Sequence, residues 1–230
     1  MNITQPISAR IKKRYKRFLA DVVFENGEEA TVYVPNTGSM KTCWEENWPI
    51  ILSRSSNPKR KYQLTLEMLY NGKSWIGVNT SLTNHLVEEA LNSGIIEELK
   101  DFDDLKAEVK QGKSRLDFLI TKDGKKHFIE VKNVTLLSAK NTVTFPDAIS
   151  TRGQKHIREL IELVEQGHQS TLLFVIQRED AQLFDVHNPI DPEYEKLLRK
   201  AKDKGVQILA YQCSLNENQI KISHPLEVKF

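Results

Sequence analysis

The period of the apolar residues changes once along this chain, near Thr80, and that change limits what the chain can fold into. Before it, short runs alternate in twos. "RFLADVVF" (17–24) and "ATVYV" (30–34) flank "ENGEE", a turn built on Gly27, and "WPIILS" (48–53) leads to the "NP" turn at 57–58. "YQLTLEMLY" (62–70) alternates throughout, which predicts Tyr62, Leu64, Leu66, Met68 and Tyr70 on one face of a half-buried strand. "NG" at 71–72 signals a hairpin into "KSWIGVNT". Several short strands with tight turns predict a small β-barrel. An OB-like barrel is the commonest nucleic-acid-binding type, and an SH3-like barrel gives the same pattern.

After Thr80 the spacing becomes helical. In "SLTNHLVEEALNSGII" (81–96), Leu82, Leu86, Ala90 and Leu91 are apolar and Gly94 is a C-terminal stop. A strand candidate at 106–110 precedes "SRLDFLITKDGKKHFIEVKNV" (114–134), two strands joined by a turn. "STRGQKHIRELIELVEQG" (150–167) reads as a helix capped by Ser150 or Thr151, and "STLLFVIQR" (170–178) as a buried strand. "IDPEYEKLLRKAKDKG" (190–205) carries Asp191 as N-cap, Pro192 in the first helical position and Gly205 at the end. "VQILAYQC" (206–213) is a further strand. This order predicts an α/β domain with a central mixed sheet. The expected division is a barrel over 1–80 and the α/β domain over 81–230.

At 230 residues the chain is long enough for two such cores. It has no apolar run of about 18 residues, the length a membrane span needs. Its start, "MNITQPISARIKKRYKRF", is basic without the apolar centre of a secretion signal. Cys43 and Cys213 lie in no CxxC pair and among no clustered histidines, so neither a disulfide framework nor a zinc site is expected. These features predict a cytoplasmic protein with no membrane partner. The oligomeric state stays open, a homodimer among the alternatives.

Net charge is only +2 but unevenly placed. Residues 1–80 hold 12 Lys and Arg against 7 Asp and Glu; the remainder hold 21 against 24. The first part concentrates its cations in "RIKKRYKR" (10–17), with Lys12, Lys13, Arg14 and Arg17, and in "NPKRKY" (57–62), with Lys59, Arg60 and Lys61. Such clusters attract phosphate backbones whatever the base sequence, which points to non-specific DNA binding. A solvated basic edge strand is the other reading.

Three charges interrupt the apolar hairpin at 114–134: Asp117, Glu130 and Lys132. Glu130 and Lys132 share a face of their strand by alternation. On the other strand, alternation groups Leu116, Phe118 and Ile120 on one face and Asp117 and Leu119 on the other. Pairing across the "KDGK" turn brings Asp117 beside Glu130. Two adjacent carboxylates repel unless a cation lies between them, and Mg²⁺ or Mn²⁺ held by one or two carboxylates suits phosphodiester chemistry. A neighbouring lysine can position the attacking water. Asp117, Glu130 and Lys132 thus read as a metal-dependent hydrolytic site, with Asp117 and Glu130 holding the metal. A cross-strand charge pattern on a solvated face is the plainer alternative. Glu89 flanks the apolar stripe of its helix and is expected as a further ligand or water holder, whereas Glu88 points nearly opposite. Arg152, Lys155 and His156, in the first turns of the helix after "FPDAIS", are expected to grip phosphate at a helix N-terminus. Asn133 and Lys140 follow the Glu-x-Lys strand and are candidates for substrate contact. "PNTGSM" (35–40) either exposes Asn36, Thr37 and Ser39 to a ligand or only turns the chain. Trp44, Trp48 and Trp75 read as core, or as stacking partners for bases. No GxSxG, Walker or GxGxxG motif occurs.

Taken together, "RYKRFLADV", "PNTGSM", "SRSSNPKRKY", "GVNTSLTNHLVEEAL", "SRLDFL", "IEVKNVTL", "FPDAISTRGQKHIREL" and "IDPEYEKLLRKA" resemble the sugar fermentation stimulation protein A family, in order and over nearly the whole chain. The resemblance implies an N-terminal OB-like domain followed by a domain of the PD-(D/E)xK nuclease fold. It implies non-specific DNA binding and a link to the regulation of sugar (maltose) genes. Carried onto matching positions, the nuclease-like site would be Asp117, Glu130 and Lys132, with Glu89 from the helix. The strand before "PNTGSM" ends Tyr33-Val34, where the family pattern leads one to expect His-Cys. Two functions follow as expectations: a Mg²⁺- or Mn²⁺-dependent DNA nuclease, or a DNA-binding regulator that does not cleave.

Overall fold

The structure, a computed structural model, describes residues 1–112, 114–138 and 141–230. Six strands form the first sheet: β1 (Ile7–Tyr15), β2 (Leu19–Val23), β3 (Glu29–Tyr33), β4 (Pro49–Arg54), β5 (Leu64–Tyr70) and β6 (Trp75–Gly77). Their order is β3-β2-β1-β4-β5-β6, and a pairing of Tyr33 with Thr65 joins β3 back onto β5. Five strands therefore close an OB barrel. Its interior is aliphatic, with Ile11, Val22, Val32, Leu52 and Leu66 fully buried. Burial of each such side chain favours the fold by about 1.5–3 kcal/mol. Most of the basic stretch is β1, which pairs with β2 from Arg10 to Tyr15 but with β4 only from Ile7 to Arg10, with Ala9 and Ile11 turned inward.

Strand β5 does not keep one apolar face. Leu66 pairs with Leu52 and Met68 with Ile51, so Glu67 is an extra residue on β5. A bulge of this kind flips the faces beyond it. Leu64, Leu66 and Leu69 enter the barrel core, while Met68 and Ile51 join the core of the second domain. The bulged Glu67 is buried and accepts hydrogen bonds from Ser53 Oγ (2.5 Å) and Asn79 Nδ2 (2.8 Å).

The second domain contains α1 (Thr83–Asn92), β7 (Asp104–Gln111), β8 (Ser114–Lys122), β9 (Lys125–Val134), β10 (Thr142–Val143), α2 (Thr151–Glu165), β11 (Gln169–Ile176), β12 (Leu183–Asp185), α3 (Pro192–Asp203), β13 (Gln207–Asn216), β14 (Gln219–Pro225) and β15 (Val228–Lys229). The main sheet runs β14-β13-β11-β9-β8-β7. Strands β9, β11 and β13 are parallel, and antiparallel hairpins flank them on both sides. Helices α2 and α3 cover one face and α1 the other. The short strands β10, β12 and β15 make a small parallel sheet. Among the described residues no helix is long and apolar enough to cross a membrane.

The first three residues do not join the barrel. Ile3 is buried in the core under α1, Asn2 bridges to Gln219, and Ile3 N–H donates to Asn218 O at 2.8 Å. Besides the apolar contacts of Ile51 and Met68, buried polar groups join the two domains. Arg178, 1% exposed, forks onto Asp180 through Nε (2.6 Å) and Nη2 (2.7 Å). Its Nη1 donates to Thr135 O (2.7 Å) in the second domain and to Thr42 O (3.2 Å) in the barrel. Asn71 of the barrel completes the set on Asp180 at 2.8 Å. Removing one partner of a buried pair leaves the other charge unpaired. Arg178→Met is therefore expected to cost about 3 kcal/mol or more, read as a lower urea midpoint.

Candidate functional site

The β8–β9 ladder runs from Lys122 opposite Lys125 to Phe118 opposite Ile129 and stops there. One more step in register would set Asp117 opposite Glu130. Instead the side chain of Asp117 enters the gap. Its Oδ2 accepts the Val131 N–H at 2.7 Å, and its Oδ1 accepts Asn84 Nδ2 from α1 at 2.8 Å. Strand β9 stays paired with β11 as far as Val134, so it is β8 that peels away. The strand rotates as it leaves. Leu116 packs toward α2, whereas Phe118 and Ile120 pack toward α1, so the three do not share the face that simple alternation assigns them.

Glu130 is held from the opposite side of the sheet. It is 2% exposed and points at α2 with Phe128. Lys132 Nζ donates to Glu130 Oε1 at 2.5 Å, and His156 Nδ1 faces the same oxygen. Lys132 Nζ and His156 Nδ1 are 3.3 Å apart. The other carboxylate oxygen, Oε2, is buried with no hydrogen-bond partner among the described residues. The buried Tyr194 hydroxyl from α3 is also unpartnered, and burial, then the charges of Glu130 and Asp191, push its pKa up.

The two carboxylates differ in charge preference. For Asp117, burial and then the charge of Glu130 raise the pKa; the Val131 and Asn84 hydrogen bonds only partly offset this. For Glu130, burial also acts upward, but the His156 hydrogen bond and the charge of Lys132 outweigh it and the pKa is lowered. Glu130 is thus the settled anion and Asp117 the strained one. A site with one strained carboxylate beside another is what a divalent cation relieves. Among the described residues no group of three or more His, Cys, Asp or Glu side chains is gathered in metal-holding positions.

The other expected site residues divide. Glu89 is not brought to the site: its exposed carboxylate meets the Met1 ammonium at 2.7 Å. Its place on α1 is taken by Asn84 and, one turn on, by Glu88, which lines a cleft with Asn84 and Phe118. His156 is buried against Glu130 and does not reach a surface phosphate. The start of α2 is already occupied by a carboxylate: Asp191 accepts the Ser150 N–H (2.8 Å) and Gln154 Nε2 (2.9 Å) while capping α3. Arg152 is exposed, and Lys155 donates to Ser114 Oγ at 2.8 Å. On the barrel, Lys12 pairs with Glu29 (2.6 Å) and Lys13 with Asp21 (3.2 Å). Arg17, Lys59 and Lys61 are exposed, and Arg60 lies over the Tyr33 ring. Arg14 is not a free cation: it donates to the carbonyls of Asn36, Gly38, Ser39 and Arg17. Asn133 meets Gln177 Nε2 at 2.5 Å, and Lys140 lies outside the described residues. Asn84 and Tyr194 went unread because neither carries charge. Only the helical phase of Asn84, four residues before Glu88, could have flagged it.

Two family models match the chain. "SfsA N-terminal OB domain" matches residues 13–78 and "Sugar fermentation stimulation protein RE domain" residues 81–219. A sugar fermentation stimulation protein homolog of Pelobacter propionicus is 43% identical over 229 residues, covering 99% of each chain. One from Desulfotalea psychrophila is 48% identical over 217 residues, covering 94% of this chain and 92% of that one. Among solved structures, Pyrococcus furiosus SfsA in complex with Ca²⁺ has the same fold, with a TM-score of 0.89 at 24% identity over 100% of this chain and 98% of that one.

A carboxyl whose folded pKa is raised loses stability as pH climbs through that pKa, because ionisation is disfavoured in the fold. Asp117→Asn keeps the shape and removes the charge. In EDTA at neutral pH it is expected to be more stable than the parent in urea denaturation, because the disfavoured charge beside Glu130 is gone. The gain should shrink as pH falls toward the ordinary carboxylate range.

Proposed function

The chain belongs to the sugar fermentation stimulation protein family, and on that premise we propose that it binds DNA non-specifically and cleaves its backbone with Mg²⁺ or Mn²⁺ as cofactor. The observation that carries this reading is the pair of carboxylates at the β8–β9 split, one of them with a buried, unpartnered oxygen beside a lysine. Oxygen donors of this kind suit a hard divalent cation. Asp117 and Glu130 would hold it, without Glu89.

When bound, the cation supplies charge neutralisation for the phosphate under attack. The chain's own residues do the rest. Asn84 and the Val131 N–H fix Asp117 from α1 and β9, leaving each oxygen a further lone pair. Lys132 and His156 together hold Glu130 Oε1, so Oε2 is the oxygen left to face a ligand. Lys132, 12% exposed, has two further N–H groups to orient a water or to meet a phosphate oxygen. The exposed Arg17, Lys59, Lys61 and Arg152 would attract the backbone, in the arrangement of a PD-(D/E)xK enzyme with an added barrel.

The test incubates the purified chain with plasmid and with single-stranded DNA in Mg²⁺, Mn²⁺ or EDTA. Nicking is expected with metal only, and Asp117→Ala or Glu130→Ala should lower it by about 100-fold or more, the scale of losing a principal charge-stabilising group. DNA affinity should fall about 100-fold between roughly 50 and 200 mM salt, as for four neutralised phosphates. Salt-sensitive binding without cleavage under any metal would replace the enzyme by a DNA-binding regulator.

A further inference from the structure

A cavity of about 310 Å³ lies where the barrel meets the second domain, walled by loop 35–39, the end of β9 and the segment leading into α2. We propose that this cavity is a nucleobase pocket, taking one unpaired base from the DNA strand that passes Lys132. The inference rests on the DNA reading above and narrows its substrate to DNA with a bulged, frayed or single-stranded base.

Position comes first. Asn133 lines the cavity and follows Lys132 directly on β9. Thr80 lines both this cavity and the cleft that carries Asn84, the residue that holds Asp117, so the two spaces share part of one wall.

The walls then select the ligand. Phe145, Pro146 and Ile149 give the lining apolar surface. The Phe145 ring is held by Phe174 and Tyr194, at centroid distances of 5.8 and 5.3 Å, and Ile149 is 72% exposed at the rim. Asn36, Thr37 and Asn133 add amides and a hydroxyl to the lining. Apolar surface mixed with hydrogen-bonding side chains suits a planar heterocycle. It does not suit a phosphate. Among the described residues no lysine or arginine lines the cavity, and its one charge is the Asp147 carboxylate. At the start of α2, the Ser150 N–H donates to Asp191 and the Gly153 N–H to Ser150 Oγ.

The pocket is also built in advance. Asn36 is 6% exposed; its Oδ1 accepts the Gly38 N–H at 2.9 Å, and its Nδ2 has no partner among the described residues. Asp147 Oδ2 accepts the Ser39 N–H at 2.6 Å, while Arg14 ties down the carbonyls of Asn36 and Gly38 at 2.9 Å each. Gly38 sits so close that a Cβ there would come within 2.5 Å of Asp147 Oδ2. Taking a base out of a duplex costs least where it is already unpaired. That difference is what the pocket would read.

The experiment uses the full chain in EDTA, so that nothing is cut. Two duplexes are compared by anisotropy, one fully paired and one with a single bulged 2-aminopurine. The bulged duplex is expected to bind about 10-fold tighter, the scale of one stacked base, with a change in 2-aminopurine fluorescence. Thr37→Phe, which fills the mouth, should bring its affinity down to that of the paired duplex; Ile149→Ser, at an exposed side chain, serves if that variant does not fold. Equal affinity of the parent chain for both duplexes, or a preference that survives in the variant, overturns the pocket and leaves DNA binding standing. Failure to bind either duplex overturns the DNA reading instead. Saturation-transfer NMR with adenosine and thymidine then decides the pocket. Signals lost in the variant sustain it, and no signal from the parent overturns it.

Discussion

One backbone N–H organises the centre of this molecule. Val131 lies in the middle of a sheet, and its amide must be satisfied once β8 turns away. Asp117 supplies the acceptor, and in doing so its carboxylate is drawn into the gap beside Glu130. The hydrogen bond that ends the ladder is therefore the same one that assembles the two acids. Each is then braced from a different face of the sheet, Asp117 by α1 and Glu130 by α2 and Lys132. Neither helix could shift without moving a carboxylate.

The junction with the barrel depends on a second set of buried polar groups. Almost inaccessible Arg178 bonds Thr42 of the barrel and Thr135 of the second domain, Asp180 accepts from Asn71, and the Gly77 N–H donates to Gln177 O. Apolar contacts alone would let the domains slide; directional bonds fix one orientation. Gly77 allows the approach: a Cβ there would lie 2.4 Å from Gln177 Oε1. The same fixed orientation sets the loop at 35–39 over the end of β9.

Much of this was legible in the sequence where one element carries its own signal. The Asp191 cap, the Gly94 stop and the Glu-x-Lys strand each depend on neighbours within a few residues, and each has its expected form. The closed barrel followed from short strands and turns. What was hidden depends on a partner from elsewhere. The bulge at Glu67 exists only against β4, so alternation in β5 alone gave one face where there are two. The outward cations of β1 masked a strand whose inward residues are Ile7, Ala9 and Ile11. Arg14 looked like a surface cation until its loop, more than 20 residues away, closed over it. Glu89 and Asn84 differ by the rotation of α1 on the sheet, which no local pattern sets.

The docking of Met1 to Ile3 on the second domain, described above, has a topological consequence. The chain leaves that domain after Ile3 and returns to it at Thr83, which makes the barrel an excursion tethered at both ends rather than a bead on a string. A single hinge near residue 80 cannot swing it away, because the other tether must stretch or let go as well.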